Sequence, residues 1–347
     1  KITEKCIEEI SRIDAAFSRT DENSRVSALN ADKSIKDAEL AQLLQKAQAV
    51  SKDTDGKFDV TIAPVMDLWG FGKDEQKVPE TEDLSKALKK VNYNNIEISG
   101  DNISLKGDTQ IDLGGIAKGY CSHRLKELFD KNNVGSGIVS LGGNVRAIGR
   151  KPDNSLWKVA IRHPFNEDEY AGILQIENCA VITSGAYQRF FEQDGKKYHH
   201  IIDPSTGYPS ESGLSSVTVI SEDDTLADAL STSFFVMMNK KPFAVLFAVV
   251  ALGAGKVIWD RGVQISVQNV PEPIQAPASG TKYMKLKGYD LVIRYLYSYD
   301  MKALVVSTKN YNGSSVGDAL SPRDLGVAWG SVAANNGDIN FHWSQSG

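Results

Sequence analysis

TLADALSTSFFVM, Thr225 to Met237, is the stretch on which the reading of this chain turns. Asp228 and Thr232 stand four residues apart, so on a helix they lie one above the other on the same face. Leu226, Leu230, Phe234 and Phe235 surround them with apolar contacts. One pair of oxygen ligands thus projects from an otherwise apolar helix. Two hard oxygens one turn apart suit Mg²⁺, which keeps several waters and usually takes a substrate phosphate as well. Spacing alone also fits a plainer reading, an acid near the positive end of the helix dipole and a threonine bonding back to a carbonyl. The rest of the chain decides between the two.

Just upstream, Ser215 to Ser221 reads as a strand leading into this helix. Before it comes YHHIIDPSTGYP, Tyr198 to Pro209, in which Pro204 and Gly207 fix a tight turn after Asp203. His199 and His200 are adjacent. In an extended chain they face opposite ways, so at most one points into any site. Further back stands IDLGGIAKGY, Ile111 to Tyr120. Asp112 ends a strand, Gly114 and Gly115 make the turn, and a helix begins near Ile116. Adjacent glycines before a helix N-terminus expose backbone N–H and C=O groups to a ligand. Lys118 falls in the first turn, where a cation opposes the dipole, and its place makes sense if an anion binds beside it.

KFDVTIAPVMDLWGFG, Lys57 to Gly72, is the third informative stretch. Phe58, Val60 and Ile62 alternate with Asp59 and Thr61, which predicts a short strand ended by Pro64. Trp69, Gly70, Phe71 and Gly72 form an aromatic-and-glycine turn. It offers stacking surface and close backbone approach to a ligand, or, more plainly, a packed loop. Around these stretches the periodicity predicts helices at Ile2–Phe17, at Leu40–Val50 ended by Gly56, and from a Thr81 cap through Leu84, Leu88 and Val91. A polar loop, Ser18 to Ser24, follows the first helix. Short strands are expected at Ile96–Ile98 and Ile103–Leu105. A glycine-rich turn, Leu141 to Asn144, separates strands Ile138–Leu141 and Val145–Ile148, and strands follow at Trp157–Arg162, Gly172–Ile176 and Val181–Ser184.

The 347 residues suffice for one large or two ordinary domains, and 41% apolar with 24% charged content is that of a soluble globular protein. A net charge of −5 leaves no basic excess for a nucleic-acid partner. Cys6, Cys121 and Cys179 are odd in number, widely spaced and without a CxxC, so buried free thiols are expected rather than disulfides or zinc. No GxGxxG follows a strand in a βαβ pattern, which disfavours a Rossmann dehydrogenase.

FDVTIAPVMDLWGFG, IDLGGIAKGY, HIIDPSTGYP and ADALST, in this order, resemble the ApbE family of FAD:protein FMN transferases, over about residues 1–237. The resemblance implies an α+β fold of mixed β-sheets packed with helices (ApbE/T-fold-like), with the Asp228 helix beside the Gly114–Gly115 turn. It implies a Mg²⁺-dependent reaction in which a threonine hydroxyl of an acceptor flavoprotein attacks FAD, FMN stays on the acceptor and AMP leaves. Asp228 and Thr232 match the family's side-chain metal ligands, and Gly115 matches a backbone-carbonyl ligand. Asp112 and Lys118 match flavin-nucleotide contacts. Lys57, Phe58 and Asp59 match a further FAD-contacting segment, and His200 and Ile201 match the segment along the bound flavin nucleotide. For the base that deprotonates the acceptor, a neutral histidine is well poised. His200 is the choice, with Asp228 the alternative. FAD hydrolysis to FMN and AMP, and flavin binding without catalysis, are the competing functions.

The resemblance also implies export, to the periplasm or a membrane anchor on the outer face of the bacterial inner membrane, with a membrane redox flavoprotein as acceptor. Lys1 opens directly into a helix, so the chain is expected to begin inside a domain, short of the family's export signal and first strand. Arg19 and Thr20 stand where family members carry residues that influence the fate of FAD. From Met238 the family pattern stops. Met238, Asn239, Lys240 and Lys241 precede an apolar run, Pro242 to Ala254, in the manner of a signal or anchor. Being short for a span of about 20 residues, it reads equally as a buried helix. The expected division is therefore a transferase domain at 1–237, an anchor-like or buried helix at 238–258, a Pro-rich linker at 259–280, and a small β-rich region at 281–347. Strands are expected there at Tyr289–Tyr297 and Ala303–Ser307.

Overall fold

Helix α1 (Ile2–Phe17) turns Ile13, Ala16 and Phe17 into the core, and the polar loop after it leads to α2 (Arg25–Asp32), which the periodicity does not announce. Ser24 caps α2 by accepting the Ser27 N–H. The computed structural model describes residues 2–73, 75–162, 164 and 170–237, and beyond them strands at 245–250, 264–266, 282–286, 289–297 and 302–309. Strand β1 (Ser34–Lys36) is followed by α3 (Ala38–Asp53), whose N-terminus is capped by Asp37. Helix α3 buries Leu40, Leu43, Leu44, Ala47 and Val50, the apolar stripe expected of it.

The predicted strand at Phe58–Ile62 is instead a 3₁₀ turn, Val60–Ile62, running into α4 (Ala63–Trp69). The cause is local. The Asp59 carboxylate accepts the Thr61 N–H at 2.8 Å and so starts a helical turn, and Pro64 occupies the first turn of α4, where a missing N–H costs nothing. Thr81 is the first residue of α5 (Thr81–Leu88) rather than its cap, which is Glu80. Strands β2 (Ile96–Ser99) and β3 (Asn102–Leu105) pair antiparallel, and β1 joins the other edge of β3.

Helix α6 (Ala117–Lys131) follows the glycine turn, and after it the strands dominate. They are β4 (Gly137–Leu141), β5 (Asn144–Ile148), β6 (Trp157–Arg162), β7 (Tyr170–Ile176), β8 (Ala180–Gly185), a hairpin of β9 (Phe190–Gln193) and β10 (Lys196–His199), and β11 (Ser216–Ser221). Helix α7 (Asp224–Met237) closes this set and packs on α6, β8 and β11. Strands β4, β5, β8 and β11 are neighbours in one sheet, and β11 is buried at every position, Ser216 through Ser221. The main core gathers α1, α2, α3, α6, α7 and this sheet. A second cluster around Trp69, Phe71, Leu84 and Ile202 joins α4 and α5 to the turn after Asp203.

Within the apolar run read as an anchor or buried helix, Val245–Val250 forms a strand, β12, parallel to β11. Strands paired parallel on both sides, as this one is with β11 and with Lys302–Lys309, commonly read as continuous apolar runs, so periodicity alone does not separate them from a helix. Strand β13 (Gln264–Ser266), inside the stretch expected as a linker, pairs with β7, which also pairs with β6. The rest of that stretch lies outside the described residues. The strands expected near the C-terminus are present as β15 (Tyr289–Tyr297) and β16 (Lys302–Lys309). With β14 (Lys282–Leu286) they continue the sheet beyond β12. Among the described residues no helix is long and apolar enough to cross a membrane. All three cysteines are free, and burial raises the Cys121 thiol to about 11 and the Cys179 thiol to about 12.

Candidate active site

The four motif stretches converge on one cavity of about 1560 Å³. That exceeds the ~300–1,000 Å³ of an ordinary ligand pocket and leaves room for a dinucleotide. Lys57, Phe58, Asp59, Asp112, Gly115, Lys118, His200, Ile201, Asp228 and Thr232 all line it.

Asp228 and Thr232 occupy successive turns of α7, as their spacing requires. Asp228 is only 3% exposed. Its Oδ2 accepts the Gly119 backbone N–H at 2.8 Å and its Oδ1 accepts from Asn144 Nδ2 at 3.2 Å. Burial pushes its carboxyl above the ordinary range, against the pull of the nearby Lys118 ammonium and these two donors. Lys118 itself makes no ion pair among the described residues. Helices α6 and α7 meet closely because residue 119 is glycine. A Cβ there would lie 2.6 Å from the Asp228 Cβ and nearer still to the Asp224 carbonyl oxygen. Gly115 is also closely packed, though less so. A Cβ on it would meet the Phe58 ring at 3.0 Å and the Thr232 hydroxyl at 3.5 Å.

Asp228, Thr232 and the Gly115 backbone therefore stand together at the cavity wall. The donor set fits a hard divalent cation: one carboxylate, one hydroxyl and backbone oxygen, with no soft ligand. A buried polar atom supports the fit. Oδ1 of Asn144, whose amide nitrogen bonds Asp228, has no hydrogen-bond partner among the described residues. The carboxylate thus keeps negative charge and surplus acceptor capacity beside it, a combination that a cation relieves. No cluster of three or more His, Cys, Asp or Glu exists among the described residues, so a cation here would draw on hydroxyl and backbone oxygens beside the Asp228 carboxylate.

His200 lines the cavity and His199 does not, which resolves the adjacent pair. His199 is spent on structure. Its Nε2 bonds the Ser210 carbonyl at 3.1 Å and its Nδ1 accepts the Ile201 N–H at 3.2 Å. Nδ1 of His200 lies 3.1 Å from the Arg189 carbonyl oxygen. A carbonyl only accepts, so Nδ1 carries the proton and Nε2 holds the free lone pair. Burial lowers its pKa to about 4, so the ring is neutral at neutral pH.

Three of the expected flavin contacts have their side chains engaged elsewhere. The Asp59 carboxylate accepts the Thr61 N–H at 2.8 Å, the Thr61 hydroxyl at 2.6 Å and the Tyr93 N–H at 2.9 Å. It braces the loop, and burial still holds its pKa above the ordinary value. Lys57 reaches Asp203 at 3.2 Å and Ser205 at 3.0 Å, docking the turn after Asp203. Asp112 accepts the Gly114 N–H at 2.7 Å and pairs with Arg19 at 2.5 Å. Phe58 presents its ring edge to Gly115, and Ile201 is buried in the wall.

The motifs leave several of these groups unmarked. Arg19 also bonds Asp67 at 2.7 Å and the Phe71 carbonyl at 3.0 Å, tying the loop after α1 to the aromatic turn. Ser184 of β8 lies 3.4 Å from the Thr232 hydroxyl and 2.7 Å from that of Ser231. The one signal in the sequence for Asn144 is its place directly after Gly142 and Gly143.

Residues 1–249 match the family model described as the ApbE family. A FAD:protein FMN transferase of Treponema pallidum is 32% identical over 266 residues, covering 71% of this chain and 74% of that one. One of Klebsiella pneumoniae is 35% identical over 209 residues, covering 59% of this chain and 64% of that one. Among solved structures, the ApbE protein of Thermotoga maritima superposes with a TM-score of 0.66 at 37% identity, covering 77% of this chain and 85% of that one. The flavinyl transferase ApbE of Pseudomonas stutzeri, in its apo form, superposes at 0.61 with 25% identity, covering 89% and 86%.

Proposed function

This chain belongs to the ApbE family, and from that premise we propose that it is a FAD:protein FMN transferase, moving FMN from FAD to a threonine hydroxyl of an acceptor flavoprotein with release of AMP. The observation that carries this reading is the grouping of Asp228, Thr232 and the Gly115 backbone at the wall of a cavity large enough for FAD.

In this reading the threonine oxygen forms a bond to the FMN-side phosphorus. The bond from that phosphorus to the bridging oxygen breaks, and AMP departs with the bridging oxygen. Phosphoryl chemistry of this kind asks the protein for positioning and charge neutralisation rather than covalent participation. Asp228, Thr232 and the Gly115 carbonyl would hold Mg²⁺, which when bound supplies positive charge against the pyrophosphate. Lys118, without an ion pair among the described residues, adds a second positive charge at the same wall from the first turn of α6. His200 takes the hydroxyl proton on Nε2, its free lone pair being fixed by the Nδ1–H bond to Arg189. Asp228 is the poorer base, since a carboxylate committed to a cation has little proton affinity left.

The test is AMP release from FAD by the whole chain with Mg²⁺, with and without a threonine-bearing acceptor peptide, beside Asp228→Ala. Release that needs both acceptor and Asp228, with flavin fluorescence fixed covalently on the peptide, supports the reading. Release without acceptor assigns FAD hydrolysis instead. Bound FAD with no turnover assigns a binding role.

A further inference from the structure

Helix α7 is clamped twice, by the same two neighbours. Asn144 and Arg146 lie two apart on β5, so their side chains leave one face of the strand. Nη1 of Arg146 donates to Asp224 at 2.9 Å, and Nδ2 of Asn144 donates to Asp228 at 3.2 Å. From α6, the Ser122 hydroxyl donates to the other oxygen of Asp224 at 2.6 Å, and the Gly119 N–H donates to the other oxygen of Asp228 at 2.8 Å. Two carboxylates one turn apart thus receive one donor on each oxygen, from the same strand and the same helix.

The clamps differ in charge. Asp224 is fully buried against a guanidinium, and that pair is neutral as a unit. Asp228 receives only neutral hydrogen-bond donors from β5 and from α6, with the Lys118 ammonium of α6 nearby but not bonded to it. Asn144 is itself 1% exposed, and its own Oδ1 has no partner among the described residues. An unpaired buried acceptor costs stability. A side chain there for packing alone would serve better without the amide. What the amide adds is its N–H on Asp228.

We propose that Asn144 is a positioning residue of the cation site. It fixes the rotation of the Asp228 carboxylate against Gly119 and, being neutral, leaves the carboxylate's charge to a divalent cation. An arginine in its place, as at position 146, would neutralise Asp228 and close the site. The inference rests on the cation reading of Asp228 and Thr232 given above.

The experiment titrates the full chain with Mn²⁺, followed by electron paramagnetic resonance of the free ion, and records melting temperature with and without Mg²⁺. The variants are Asn144→Ala, Asn144→Leu, which preserves volume, and Ser122→Ala, which loosens the other clamp. Groups that orient a ligating side chain change metal affinity about 10–100-fold when removed. Both Asn144 variants are expected to bind Mn²⁺ at least about tenfold more weakly. Ser122→Ala is expected to melt earlier and bind Mn²⁺ as the unaltered chain does. Wild-type affinity in either folded Asn144 variant overturns the proposal. So does equal weakening by Ser122→Ala, or a failure of both Asn144 variants to fold, since either makes Asn144 purely structural. If the unaltered chain itself binds no Mn²⁺ and Mg²⁺ does not shift its melting, the cation reading falls and takes this inference with it.

Discussion

The Asp228 carboxylate accepts the backbone N–H of Gly119 at 2.8 Å, and the same glycine leaves no space for a side chain between α6 and α7. One residue thus both bonds the acid and lets the two helices approach. Gly119→Ala would place a Cβ 2.6 Å from the Asp228 Cβ, well inside contact distance. The overlap is with backbone and Cβ, which do not swing aside, so the helices must part. Overpacking of this kind costs about 1–3 kcal/mol. The variant is expected to melt several degrees lower and to lose most of its AMP release from FAD. An unchanged melting temperature would mean that the contact between α6 and α7 is looser than described.

Asp228→Asn should separate stability from function in the opposite way. Burial raises the folded pKa of Asp228 above its unfolded value. The stability linked to that group is therefore present below the unfolded pKa and lost as pH rises through the folded one. At neutral pH, without a cation, the ionised acid is a cost that the amide avoids. The variant should melt at or above the wild-type temperature in EDTA, gain nothing from Mg²⁺, and lose activity by about 100-fold or more. Differential scanning fluorimetry with and without Mg²⁺ reads both signs. A Mg²⁺ shift that survives the substitution would sink the cation assignment.

Asp59 lines the cavity, yet all its hydrogen bonds run inward to Thr61 and Tyr93. Asp59→Ala should therefore act on folding. Loss of a helix cap costs about 0.5–2 kcal/mol, and the further donors left unpaired push toward the upper end. The folded variant should bind FAD within about a factor of three of wild type, or ~0.6 kcal/mol. Tenfold weaker FAD binding with unchanged melting, by calorimetry and thermal unfolding, would return Asp59 to the list of ligand contacts.

The elements that sequence periodicity announced best were those whose pattern is local. Helix α7 with its Asp228–Thr232 pair and the apolar stripe of α3 follow from residues three or four apart, and the turn into α6 from two adjacent glycines. The alternation at Phe58–Ile62 misled because one side-chain bond, from the Thr61 N–H to Asp59, converts an extended pattern into a 3₁₀ turn. Val245–Val250 misled because a strand with parallel partners on both sides commonly carries a continuous apolar run rather than a polar alternation. In the site, residue identity was legible and commitment was not. Lys57 and Asp112 look free in the sequence, but their partners Asp203 and Arg19 lie 146 and 93 residues away, and only the fold brings them together. Asn144 left a faint trace for the same reason. Its partner Asp228 is 84 residues on.

His200 offers the sharpest pH test. Burial lowers its pKa from 6.5 to about 4, while the bond to the Arg189 carbonyl only partly opposes the shift. The native state then binds fewer protons than the unfolded chain between about pH 4 and 6.5. The contribution of His200 to stability is full above 6.5 and is lost as pH falls to about 4. His200→Gln keeps a donor for Arg189 but does not titrate, so its melting temperature should fall less than wild type across that window. As the proposed base, His200 should be worth about 10²–10⁴-fold in kcat, with FAD affinity largely retained in the glutamine variant. The pH dependence of kcat/KM reports groups of the free enzyme, so the acid limb of the wild type should lie near pH 4. A limb near 6.5 would mean an imidazole open to water, and kcat unaffected by His200→Gln would pass the role of base to another group.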